Sequence, residues 1–147
     1  MQDGFVKVAA ITPEVRVADV AFNVNACVEA ARRACTEDGA MIVVLPELCI
    51  TAYTCQDLFF QPALLEASMN ALNRVMAATD GLDMLTAVGC PIMFRGELYN
   101  CAVVIKDGAV LGVVPKKFLP NYNEFYEKRH FATPDEGDFE IELFGKT

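Results

Sequence analysis

The stretch AMIVVLPELCITAYTCQDLFF, Ala40 to Phe60, decides how the whole chain is read. Met41-Ile-Val-Val-Leu45 is an unbroken run of aliphatic side chains, the pattern of a strand buried on both faces of a sheet. Pro46 closes the run and Glu47 follows at once. A carboxylate is expensive in apolar surroundings unless something pairs with it. Glu47 therefore either stands at the open end of a sheet, where reacting groups collect, or is a solvated acid that happens to follow a strand.

Upstream, Phe5 to Thr12 reads as a first strand closed by Pro13. From Ala18 to Asp38, Val20, Val24, Cys27, Val28, Ala31 and Cys35 recur at helical spacing and Gly39 marks the stop. Strand, helix, strand in that order predicts a right-handed βαβ crossover. Downstream, Pro62 to Ala78 carries Leu64, Leu65, Met69, Leu72, Val75 and Met76 on one helical face, and Met84 to Cys90 reads as a third strand. Leu98 to Ile105 and Ala109 to Val114 flank Asp107-Gly108 and predict a hairpin. The sum is a layered α/β domain. From Lys116 the pattern dissolves into an aromatic, charged loop. Phe139 to Phe144 alternates like one more strand, but Gly145-Lys-Thr147 ends the chain before anything could cover it, which predicts more protein for this loop to pack on.

Bulk properties exclude several function classes. The 147 residues are 54% hydrophobic, enough for a sizeable core, and the formal charge is −8 without a long basic run, so nucleic acid is not an expected partner. Six cysteines occur without a CxxC pair, and His130 is the only histidine, which argues against a zinc site. His130 itself has no evident Ser or Cys partner and reads as a surface or interface residue. The opening MQDGFVKVAA lacks the pattern of a secretion leader and no apolar run reaches bilayer length, so the expectation is a cytoplasmic protein with reduced thiols and no membrane contact.

Two polar residues follow buried strands: Glu47, and Lys116 after Val113-Val114-Pro115. Brought together, they would make an acid/base and charge-stabilising pair. A partly desolvated carboxylate can take a proton from a nucleophile, and an ammonium can stabilise the anion on an attacked carbonyl oxygen. Acids and lysines after strands are also common as solvated turn residues, and spacing alone does not choose between the two.

Two longer motifs do choose. PELCITAYTCQDLFFQ and VPKKFLPNYNEFYEKRHF, together with the opening GFVKVAAITPEVRVADVAFN, resemble the carbon-nitrogen hydrolase (nitrilase) superfamily. Within it they are most similar to the amino-terminal glutaminase domains of glutamine-dependent NAD(+) synthetases. The resemblance covers nearly the whole chain. It implies an α-β-β-α sandwich of which residues 1–147 form the first half. It also implies Glu47 as general base, Lys116 as the catalytic lysine with Lys117 pointing away, and Glu124 as a second glutamate orienting the lysine and the substrate. Tyr53, Tyr122 and Glu127 match positions lining the glutamine pocket, with Glu127 facing the substrate ammonium.

The family's nucleophile is a cysteine beyond the lysine, and no cysteine follows Lys116. Cys55-Gln-Asp57-Leu58 looks like the Cys-x-Asp-Leu that surrounds such a nucleophile, but it lies inside the first motif and reads as a packed thiol; Cys49 has less support still. The resemblance thus implies a chain inactive alone. Its full-length parent would hydrolyse glutamine without a cofactor and pass ammonia to a C-terminal synthetase domain that uses ATP and Mg2+, absent here. An uncovered sheet further predicts a homo-oligomer. The rival readings are a stand-alone amidase or nitrilase of the superfamily, and a non-catalytic module that keeps the fold and binds a partner.

Overall fold

The computed structural model describes residues 4–137 and 139–144. Its strands are β1 (Val8–Ala10), β2 (Ile42–Val44), β3 (Leu85–Phe94), β4 (Glu97–Lys106) and β5 (Ala109–Pro115). Its helices are α1 (Val20–Thr36), α2 (Pro62–Thr79) and the single turn α3 (Glu127–His130), with a 3-10 segment at Gln56–Phe60. The ends of α1 follow local chemistry. Asp19 caps it by accepting the Phe22 N–H at 3.1 Å. Gly39, at φ 68°, supplies the left-handed turn that lets the chain leave toward β2. Pro62 opens α2, where a missing N–H costs nothing.

The strands form one sheet in the order β1-β2-β3-β4-β5. β1, β2 and β3 run parallel, and β4 and β5 complete an antiparallel meander. Asp107-Gly108 turns β4 into β5 with φ values of 49° and 67°, the doubly left-handed geometry that matches strand twist. Arg95-Gly96, at 50° and 83°, does the same between β3 and β4, a second hairpin that the sequence reading did not foresee because it ended the third strand at Cys90. β3 runs on through Pro91 to Phe94. Proline is tolerated there because β2 pairs with β3 only as far as Ala87, leaving a strand neighbour on one side.

Alternation decides what each face meets. Val88, Cys90, Val103 and Ile105 turn toward the helices and bury against Val24, Cys27, Leu72 and Val75. The opposite face carries small or exposed residues, among them Val8, Val44, Gly89, Ala102 and Val114. The described architecture is therefore two layers, helices on sheet, with one apolar sheet face uncovered. Phe139 to Phe144, expected as a strand, contains no strand element; Gly145 to Thr147 lie outside the described residues. No described helix is long and apolar enough to cross a membrane.

Candidate active site

Beyond β2 the chain must turn sharply, and it does so across β3. Leu45 still pairs with the sheet through Ala87 O at 2.9 Å, and Ile50 N–H donates to Gly89 O at 3.4 Å. Between them Leu48 takes a left-handed φ of 49°. Leu48, Cys49 and Ile50 are buried and plug the end of the core, while Glu47 is turned outward. The crossing is so close that a Cβ on Gly89 would lie 2.3 Å from both Leu48 N and Pro46 O. Glycine at this strand position is a requirement of that approach.

Lys116 reaches the same place from the other edge. Its backbone N–H donates to Asn100 O at 2.7 Å as β5 ends, and its ammonium contacts Glu47 Oε1 and Glu127 Oε1 at 2.8 Å each. Tyr53 OH donates to the same Glu127 oxygen at 2.7 Å. The Asn100 side-chain amide donates to Glu47 Oε1. Exposure grades the set: the Glu47 side chain is 41% exposed, Lys116 29% and Glu127 4%. Burial disfavours the Lys116 ammonium, but the hydrogen bonds and charges of Glu127 and Glu47 outweigh it and hold its pKa above the usual lysine value. Burial, then the neighbouring Glu127, raises the Tyr53 phenol well above its ordinary range, so it remains a hydrogen-bond donor at neutral pH.

Glu47 and Lys116 front a cleft of about 350 Å³ on the uncovered sheet face, whose apolar floor includes Val44, Ala87, Ala102 and Val114. The structure thus brings Glu47, Lys116, Tyr53 and Glu127 together. Glu124 and Tyr122 are exposed on the loop between Lys116 and α3, and Glu124 lines a small neighbouring recess together with Tyr53 and Glu127. Glu124 makes no ion pair or side-chain hydrogen bond with the described residues, although its charge is felt at Tyr53. The carboxylate that meets Lys116 beside Glu47 is Glu127, three residues later. Lys117 is exposed and makes no ion pair with Glu47 or Glu127.

His130 differs from its sequence reading: its side chain is 6% exposed and lies between the rings of Phe59 and Phe60 at centroid distances of 5.7 and 5.4 Å. Beside it Arg129 grips Asp57 through two hydrogen bonds of 2.8 and 2.9 Å, fastening α3 to the loop that carries Tyr53. Arg129 holds the Asp57 carboxyl at a pKa of about 2.

None of the six thiols is hydrogen-bonded to Glu47, Lys116 or Glu127. Cys55 donates to Thr51 O at 3.0 Å, and burial raises its pKa. Cys49 donates to Gly89 O at 3.6 Å. Cys101 touches the cleft, but burial pushes its thiol to about 12, the opposite of what an activated nucleophile needs. Among the described residues no group of three His, Cys, Asp or Glu could hold a metal ion.

Two contributors went unread in the sequence. Gly89 lies inside the run Met84 to Cys90 that reads as a strand, and a glycine inside an apolar strand signals close backbone approach. Asn100 interrupts the apolar run Leu98 to Ile105, and a buried amide must find partners.

The chain, a parallel sheet continued by an antiparallel meander with a carboxylate and an ammonium meeting beyond two strand ends, belongs to the carbon-nitrogen hydrolase family, whose model matches residues 7–147. More particularly, it is 45% identical over 134 residues to glutamine-dependent NAD(+) synthetase of Mycobacterium tuberculosis, an alignment covering 91% of this chain and 20% of that protein. The crystal structure of a glutamine-dependent NAD(+) synthetase from Cytophaga hutchinsonii superimposes with a TM-score of 0.88 at 27% identity, covering 97% of this chain and 24% of that one. An amidase from Nesterenkonia sp. shares the fold at a TM-score of 0.75 and 20% identity, with 92% of this chain and 51% of that one covered. The chain therefore spans about a fifth of the length of the curated synthetases it matches.

Proposed function

We propose that this chain supplies the base, lysine and pocket of a glutaminase site whose ammonia feeds ATP-dependent NAD(+) synthesis in a protein of its relatives' length. The observation that carries the reading is Lys116 Nζ bridging Glu47 and Glu127 at 2.8 Å each, at the mouth of the cleft. In this scheme the Glu47 carboxylate takes the proton of a cysteine thiol, and the thiolate adds to the side-chain amide carbon of glutamine. Lys116 stabilises the oxyanion of the tetrahedral intermediate. Glu47 returns the proton to the departing amine, ammonia leaves, and a thioester remains. Glu47 then takes a proton from water, the hydroxide adds to the thioester, and glutamate departs as the thiol regains its proton.

Roles follow from contacts. Glu127, with Oε1 engaged by Lys116 and Tyr53, orients the lysine, the part the sequence reading gave to Glu124. Tyr53 orients Glu127, while Glu124 and Tyr122 are left to meet substrate from the exposed loop. ATP and Mg2+ belong to the synthetase step: this chain has no glycine-rich phosphate loop, and no step here runs through them. The cysteine must come from sequence other than these residues, so the 147-residue chain alone should release no ammonia from glutamine. The uncovered sheet face supports assembly with further protein, whether the rest of a sandwich or another copy.

The test is ammonia release from glutamine by the gene product carried to the length of its relatives. Glu47→Gln should lower turnover at least about 10³-fold. Undiminished turnover in that variant would remove Glu47 from the chemistry.

A further inference from the structure

Glu47 is asked to shuttle a proton, yet its two oxygens are not equivalent. Oε1 accepts from both Lys116 Nζ and Asn100 Nδ2; among the described residues Oε2 accepts no side-chain hydrogen bond, and Glu47 lines the cleft. Lys116 alone would hold Oε1 loosely, because an ammonium on a flexible stem presents three rotatable donors and tolerates many carboxylate orientations. A planar amide on a strand tolerates few. Asn100 is 4% exposed, it sits in the middle of β4 opposite Pro91, and its own carbonyl accepts the Lys116 N–H at 2.7 Å. One residue therefore grips the carboxylate through its side chain and the lysine's backbone through its main chain. Registration of β4 against β3 thereby fixes the separation of the two reacting groups.

We propose that Asn100 is a positioning residue of this site: it locks Glu47 Oε1 beside Lys116 and so assigns Oε2 as the oxygen that exchanges the proton. The reaction it would serve is the glutaminase step proposed above; the contact itself is independent of that reading. A donor fits here and an acceptor does not, because a second carboxylate at this position would repel Glu47 as long as both are ionised.

Two measurements test this separately. In the 147-residue chain, the Asn100 side-chain amide resonances should shift as the carboxylates are titrated and should lose that shift in Glu47→Gln. Resonances that are insensitive to pH, or equally sensitive in Glu47→Gln, would overturn the contact. In the gene product at its relatives' length, the near-isosteric Asn100→Asp should lower kcat for glutamine about 10²-fold at neutral pH, the scale of a misaligned reacting group, with KM within about twofold. Activity should recover as the pH falls and the introduced carboxyl gains a proton it can donate to Glu47, a recovery the unsubstituted enzyme does not show. A folded Asn100→Asp protein with unchanged kcat and pH profile would overturn the positioning role. If the unsubstituted protein releases no ammonia from glutamine, the functional reading fails while the amide titration still decides the contact.

Discussion

Glu47 and Glu127 end up on the same ammonium, but the chain places them by different means. Glu47 is held by the sheet. Its position follows from the end of β2, the crossing over Gly89 and the amide of Asn100, all anchored in strand register. Glu127 is held by loop packing. The segment after Lys116 has no strand or helix until α3, and is fastened by Leu119 and Phe131 in the core, by the Arg129 clamp on Asp57 and by Ala132 N–H on Leu98 O at 2.8 Å. A site built half on register and half on loop packing should fail differently according to which half is disturbed.

The register half should be the more brittle. Gly89→Ala would force a methyl into backbone atoms that cannot rotate aside, and we expect a loss of about 3 kcal/mol, the upper end of overpacking effects, read by urea unfolding. A variant of unchanged stability would mean that the crossing is looser than described. In the loop half, Lys116→Met leaves Glu127 buried with Tyr53 as its only remaining side-chain partner among the described residues. Removing one member of a buried pair costs about 3–5 kcal/mol, and since Lys116 is 29% exposed the expected loss is nearer 2–3 kcal/mol by the same rule. Adding Glu127→Gln to it should recover part of that loss, whereas additive losses would argue that the two side chains do not interact.

The third expected effect is smaller and depends on pH. Arg129 depresses Asp57 from 3.8 to about 2, so the clamp stabilises the folded chain above pH 3.8 and is lost as the pH falls toward 2. Asp57→Asn should therefore lower Tm at neutral pH, and the difference should shrink and vanish as the pH falls through 2. The raised pKa of Lys116 has the opposite sense: its contribution is complete below 10.5 and disappears as pH rises through the higher folded value. Screening keeps the exposed Asp57 effect below that of Lys116→Met.

The same contrast governs what could be read from sequence. Apolar runs and helical spacing locate every strand and both long helices, because burial imposes a period on the side chains. Glu47 and Lys116 could be found because each directly follows such a run. Glu127 could not be separated from Glu124 by pattern: in NYNEFYEKRH no period tells which glutamate faces inward, and that choice is made by burial of Phe131 and by contacts to Tyr53 and Asp57, both remote in sequence. Asn100 and Gly89 left visible signals, a polar residue and a glycine inside apolar strands, but their partners appear only once Glu47 is folded over β3. Phe139 to Phe144 alternates as a strand would, but among the described residues it makes only an isolated bridge at Leu143 and adds no strand to the sheet.

The most direct measurement compares Glu127→Gln with Glu124→Gln in the gene product at its relatives' length, each assayed for ammonia release from glutamine. Loss of the carboxylate that orients Lys116 should lower kcat about 10²-fold or more, while Glu124→Gln, on the exposed loop, should keep kcat within a few-fold and alter chiefly KM. The reverse order, with Glu124→Gln abolishing turnover and Glu127→Gln sparing it, would contradict the assignment of Glu127 to the lysine and with it the arrangement of the site.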